Sequence, residues 1–366
     1  MIWKVQLVRF LVPALFLPGY TLSAPLFDSE EVLDVVIEAP IRKLSSQRHK
    51  KPQFAGTIRY TDASGTERAH AVVVTTRGVS RLDICDYPPL KITFNPDDTV
   101  GTLFAGQRNL KLVRQCVPGK KGRNWVYLEL GAYRAYSSIT DYSFGSRQLN
   151  VTYRDTESRR RDQVQPGFFL EDDSAVATRL DRERIRPPKV ESGQLAAAET
   201  THNLLFQYLI GNTDFAVKRG PSGEGCCHNG RVIAQAGQQQ NWVVLPYDFD
   251  YAGIIDADYA SPDRRLPIRR VKTRLYRGFC WQNDLLPDSI DLFNQKRSEI
   301  EAALLPQEVT KSKLRQVTSY LKRFYETIND PQELQKQLLD KCRGPDSLPI
   351  RESPVSPGYK KTPATN

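Results

Sequence analysis

The sequence predicts a bilobal α+β protein, strand-rich in its first half and helix-rich in its second. Three observations carry that expectation. Short β-branched runs separated by turn residues fill residues 32–113 and resume at residues 149–170. Helix-period apolar spacing dominates from residue 192 onward. Between them an apolar-acidic segment, Gly167-Phe168-Phe169-Leu170-Glu171-Asp172, marks a junction. The expected boundaries are an export signal at residues 1–24, a strand lobe at 25–171, a helix lobe at 172–342 and a disordered tail at 343–366.

The signal reading rests on Lys4 and Arg9, an apolar run over residues 10–17, and the small-residue exit Thr21-Leu22-Ser23-Ala24. Pro13 and Pro18 interrupt the run, which falls short of the ~18–20 apolar residues that a membrane span needs. No later segment is apolar enough to cross a bilayer, so an exported protein without a transmembrane segment is expected, periplasmic or extracellular. Strands are expected at 32–37, 53–60, 69–76, 90–94, 110–113, 149–153 and 168–170, with a hairpin turn at Asp62-Ala63-Ser64-Gly65. One helix, 125–139, interrupts them. Helices then follow over 192–210, stopping at Gly211, over 288–305 and over 310–328, where Leu314, Val317, Leu321, Phe324 and Ile328 recur every three or four residues. A last helix starts at Asp330-Pro331. Five prolines beyond residue 344 give the end the composition of a disordered tail.

A formal net charge of +10 favours acidic partners such as nucleotides or anionic envelope components. The basic residues are dispersed, which argues against nucleic acid. Arg159-Arg160-Arg161 lie among Asp155, Glu157 and Asp162 and read as a solvated loop. Mean hydropathy of −0.49 fits a globular chain with a wet surface. Six cysteines in an exported chain permit three disulfides in any of 15 connectivities. A metal or redox site at Cys226-Cys227-His228 is the alternative; at least one of these cysteines is expected to fasten the loop around it.

Two aspartate motifs close apolar runs: Gly211-Asn212-Thr213-Asp214 after residues 204–210, and Tyr247-Asp248-Phe249-Asp250 after residues 242–246. Apolar runs are buried, so these carboxylates are delivered to the rim of a core. Such carboxylates suit hard oxygen-ligand chemistry, one orienting a hydroxyl while others hold Mg²⁺ or Mn²⁺. Two turns built with Asp and Asn explain the same residues without chemistry.

In their order, several segments resemble those of the CotH family of atypical, kinase-like proteins. Thr75-Thr76-Arg77-Gly78-Val79-Ser80-Arg81 with Pro89-Leu90-Lys91-Ile92-Thr93-Phe94 is similar to that family's Arg-Gly-x-Ser segment and its lysine strand. Asn109-Leu110-Lys111-Leu112 resembles the next strand, and the segment at 167–171 its acidic strand near the lobe junction. Asn212-Thr213-Asp214 and Asp248-Phe249-Asp250 resemble its catalytic loop and its metal-binding pair. The Gly-Asn-x-Asp part is also similar to secretory-pathway kinases of the casein-kinase type. The resemblance covers residues 72–251 and implies a protein-kinase-like fold that transfers phosphate from ATP, with Mg²⁺ or Mn²⁺, to an exported protein or other hydroxyl substrate. It implies Asp214 as the catalytic residue, Asp248 and Asp250 as metal ligands, and Lys111 or Lys91 on the phosphates.

The segment after Asp214 departs from the family's pattern. Phe215-Ala216-Val217-Lys218 and a Gly-rich insertion lead to Cys226-Cys227-His228-Asn229. Asn229 is then a candidate metal ligand and Lys218 a candidate phosphate contact, while a dismantled site would make the protein an inactive kinase-like binding module of the cell envelope. A metal-dependent phosphohydrolase is the third class, weakened by a total of four histidines.

Overall fold

In a computed structural model the described residues are 25–158, 161–221 and 223–344. The predicted export signal and residues 345–366 of the predicted tail lie outside them.

Alternation builds the first half. Strand β1 (Leu33–Ala39) buries every second residue, and a short helix α1 (Ile41–Ser46) leads to β2 (Phe54–Thr61) and β3 (Glu67–Thr76). The Asp62 side chain accepts from the N–H groups of Ser64 and Thr66, which fixes the expected hairpin turn. After helix α2 (Ser80–Ile84) come β4 (Leu90–Phe94) and β5 (Asn109–Arg114). Helix α3 (Gly119–Ser137) then separates them from β6 (Ser146–Asp155) and β7 (Gln163–Leu170).

These seven strands close into a barrel in the order β1-β2-β3-β4-β5-β7-β6. Closure is made by the parallel pairing of β1 with β6, from Leu33 opposite Leu149 to Ala39 opposite Asp155. Ile37, Ile58, Val74, Ile92, Leu110, Leu112, Leu149, Val151 and Phe169 fill the interior, each with at most 2% of its surface exposed. A barrel of this size is therefore packed solid.

The second half begins with α4 (Asp173–Arg179) and β8 (Glu183–Ile185), followed by α5 (Ala197–Ile210). Strands β9 (Gly230–Ala234) and β10 (Val243–Pro246) complete a three-stranded sheet in the order β10-β9-β8. Helices α6 (Leu286–Gln295), α7 (Arg297–Leu304), α8 (Lys311–Asn329) and α9 (Pro331–Gln337) follow. Helix α5 stops at Gly211, whose φ of +66° is the left-handed cap expected from sequence. Tyr320 packs so closely there that any Cβ would overlap its hydroxyl.

The expected bilobal kinase-like fold is overturned. The strand half is a closed barrel, and its outer face is continuous with the helical core. Val113, Phe168 and Leu170 from β5 and β7 share one apolar cluster with α3, with Leu205 and Phe206 of α5 and with Leu321 and Phe324 of α8. The sequence signal missed closure because β1 and β6 are far apart along the chain, and alternation reports only which face of a strand is buried. Strand β7 is apolar on both faces, one filling the barrel and the other packing on the helices, which removes the junction read at residues 167–172. Boundaries also move: the helix expected over 125–139 spans Gly119–Ser137, the one expected from residue 192 starts at Ala197, the one expected over 288–305 breaks at Lys296 into α6 and α7, and the strand expected at 168–170 starts at Gln163.

Three disulfides join Cys85 to Cys116, Cys280 to Cys342, and Cys226 to its neighbour Cys227. The last bond lies within the inserted loop, where at least one of the pair was expected to act as a fastener. Among the described residues no helix is long and apolar enough to cross a membrane.

Candidate functional site

The two aspartate motifs meet where β9 and β10 end. The ladder between these strands runs to Gly230 opposite Pro246, and the next step is a bond from the Tyr247 N–H to the Asn229 carbonyl, 3.1 Å. The Asn229 side-chain amide reaches Asp214, donating to its backbone carbonyl at 2.7 Å and to its carboxylate at 3.0 Å. His228 Nε2 lies 2.8 Å from the other Asp214 oxygen. The turn itself is held by Asn212, whose side chain accepts from the Asp214 N–H. Buried Arg277 donates to the carbonyls of Thr213 and Phe215 on either side. Asp214 thus sits in a braced turn with 37% of its side chain exposed, paired with an imidazole. A carboxylate–imidazole pair open to solvent can orient a hydroxyl and accept its proton.

Asp248 and Asp250 follow Tyr247 in the chain. Both bond to Arg81 of α2, as does Glu129 of α3, at 3.0, 2.9 and 2.7 Å respectively. Tyr259 donates its hydroxyl to Asp250 at 3.0 Å, and the Tyr133 hydroxyl accepts from the Asp248 N–H at 2.9 Å. Three carboxylates share one guanidinium, and burial makes the surplus costly. Burial pushes the Glu129 carboxyl up to about 7 and that of Asp250 to about 6, with Arg81 opposing the rise in both. Burial works to lower the Arg81 pKa, but the three carboxylates outweigh it and raise it well above the usual range. Asp248 is the member that reaches solvent, with 37% of its side chain exposed. Its φ of +62° is left-handed, a conformation that Asp tolerates better than most residues.

Tyr251 lies within electrostatic range of all three aspartates. Burial first, then the charges of Asp250, Asp214 and Asp248, raise its pKa.

Cations gather around the Tyr247 side chain. Lys111 Nζ lies 5.1 Å from its ring centroid and the Arg231 guanidinium 4.4 Å, while Arg77 donates to its hydroxyl. Lys111 also pairs with Asp173 at 2.8 Å, and Arg184 and Arg231 approach the same carboxylate at 2.5 and 3.7 Å. Burial works to raise the Asp173 pKa, but Lys111, Arg184 and Arg231 outweigh it and bring it down to about 2. Burial lowers the Lys111 pKa despite its partner, and Arg77 adds to the effect. Lys111 is thus a buried cation that packs against the residue preceding Asp248 in the chain. Lys91 is its cross-strand neighbour on β4. Lys218 lies elsewhere, with its Nζ 5.6 Å from the Phe279 ring centroid.

Sequence reasoning gave no role to Arg81, Glu129, Asp173 or Arg231, and it offered His228 only as part of an alternative metal or redox site with Cys226 and Cys227. Glu129 carried a usable signal: it stands four residues after Trp125 and four before Tyr133, on the apolar face of its helix. The others are brought in by barrel closure and by the return of the inserted loop, neither of which has a local signature.

Among the described residues no group of three His, Cys, Asp or Glu side chains is arranged to hold a metal ion. Arg81 already occupies Asp250 and one oxygen of Asp248, so the residues do not fit a resident metal. Comparisons with protein-family models, with curated proteins and with solved structures gave no match, so the site's chemistry rests on its geometry.

Proposed function

We propose that the protein is a phosphotransferase that takes phosphate from a nucleoside triphosphate, carried with Mg²⁺ or Mn²⁺, to a hydroxyl acceptor. One observation carries this reading: Lys111, Arg77 and Arg231 all contact Tyr247, the residue that precedes Asp248 in the chain and bonds through its N–H to Asn229, the partner of Asp214. Phosphoryl transfer needs both cations and carboxylates, the first neutralising the phosphates and the second handling the acceptor proton and the metal. In this reading Lys111 and Arg231 hold the phosphates, Asp248 receives the incoming metal, and Asp214 with His228 orients and deprotonates the acceptor. Glu129, Asp250 and Arg81 position Asp248. The three disulfides support an oxidising, exported setting. An exported protein or envelope component is then the acceptor class.

A second reading, an inactive binding module, is favoured by Arg81. A guanidinium between Asp248 and Asp250 supplies from within the protein the positive charge that a bound metal would otherwise bring.

Thermal melting with Mn²⁺-ATP separates the two. For an active site, ligand at 100 times its Kd stabilises the native state by about 2.7 kcal/mol. Asp248→Asn abolishes that shift with little change in the ligand-free Tm. Asp214→Asn keeps the shift but loses ATP turnover. A shift in both proteins without turnover selects the binding module, and no shift in wild type overturns nucleotide binding altogether.

A further inference from the structure

The first half of α8 forms one wall of a cavity of about 420 Å³. Lys272, Lys313, Arg315 and Arg323 line it, with Ser312 and Ser319 among them. Asp256 bonds Lys272 at 2.6 Å and approaches Lys313 at 4.0 Å. Among the described residues no carboxylate comes within ion-pair distance of Arg315 or Arg323.

Two further features show a surplus of positive potential there. Helix α8 has no side-chain cap at Thr310 and no acidic residue in its first turn, so its positive end carries Lys311 and Lys313 instead. Only 12% of the Lys313 side chain is exposed, and burial, with Lys272 adding to it, brings the ammonium down to about 8 against the pull of Asp256. An anion in the cavity would relieve both.

We propose that this cavity is a second anion site, for a phosphate ester or pyrophosphate group, separate from the cluster around Tyr247. Its large apolar members are Ile254, Val317 and Tyr320, and the four cations Lys272, Lys313, Arg315 and Arg323 supply the charge that a phosphate ester needs. Gly253 and Ile254 line the cavity and also donate their N–H groups to the carbonyls of Gly211 and Ile210 at 3.0 Å each. A bound anion therefore braces the turn that presents Asp214.

The test is calorimetric titration of the full chain with inorganic pyrophosphate in the absence of divalent metal. Wild type is expected to bind with a component that weakens at least about tenfold, or about 1.4 kcal/mol, in Lys313→Gln/Arg315→Gln. Arg231→Gln, in the other cation cluster, is expected to leave that component unchanged. Arg323→Gln, a solvent-side change that keeps the fold, is expected to weaken it by a smaller factor. The proposal fails if wild type takes up no pyrophosphate, if the α8 variants bind as wild type does, or if Arg231→Gln alone removes binding. Vesicles containing phosphatidic acid identify the source. Sedimentation with them that pyrophosphate and the double variant both abolish assigns the site to a lipid headgroup, and no sedimentation assigns it to a free phosphate ester.

Discussion

Inside the barrel Ile58, Val74, Ile92, Leu110 and Leu112 are wholly shielded from water and pack against one another. Arg81, Glu129 and Asp250 are nearly as well shielded, with 8, 4 and 4% exposed, yet all three are ionisable. The apolar interior stabilises in proportion to the area it removes from water, and it tolerates exchanges that conserve volume. The charged cluster is held by mutual satisfaction, so its members fail together when one is removed. A cluster that an apolar packing could replace at no loss of stability is better explained by what it positions, and here that is Asp248.

Matched substitutions to methionine give the largest expected contrast. Leu112→Met in the barrel should cost less than about 1.5 kcal/mol in a denaturant titration. Arg81→Met should cost about 3–5 kcal/mol, because it strands Glu129 and Asp250 without a counter-charge. Adding Glu129→Gln and Asp250→Asn should recover much of that loss. Equal costs at the two positions would break the comparison.

Next in size is the pH dependence. Glu129 and Asp250 have folded-state pKa values of about 7 and 6, above the unfolded carboxylate range near 4. The native state holds protons that the unfolded chain has released, so their stabilisation is complete below about pH 4 and is lost as pH rises to 7. Asp173 runs the other way: its contribution is present above pH 4 and is lost as the pH falls towards 2. Glu129→Gln should flatten the decline between pH 4.5 and 7, by an amount on the order of 3 kcal/mol.

The smallest effect sharpens the contrast from outside. Lys43 and Glu157 pair at 2.7 Å with nearly half of each side chain exposed. Lys43→Ala should change stability by less than about 0.5 kcal/mol, within the error of a chemical melt. A close ion pair is therefore no measure of strength without burial.

The strands and helices were largely legible in the sequence, since β4 falls on the expected residues and α5 ends at Gly211 as its cap predicts. Burial periodicity is a local property, and it survives any tertiary arrangement. Closure of the sheet was not legible, because the β1–β6 pairing depends on a partner more than a hundred residues away. The site was half visible. Apolar runs announced Asp214, Asp248 and Asp250, and Lys111 stood in a plain strand pattern. Arg81 lay within a quoted motif without a role, because a lone arginine in a short helix carries no sign that three carboxylates will converge on it. His228 reached Asp214 through a loop whose course no periodicity records.

The parallel seam between β1 and β6 has a consequence for biosynthesis. β1 can satisfy one edge with β2 as soon as the first hairpin emerges, but its other edge waits for a strand that ends at Asp155. At about 5–20 residues per second, that edge stays open for on the order of 10 s. During this interval it is a strand template whose alternate residues are apolar, the kind of surface that recruits stray partners. A chaperone that shields residues 33–39 until β6 is made should raise the yield of folded protein, and one that acts only after release should not.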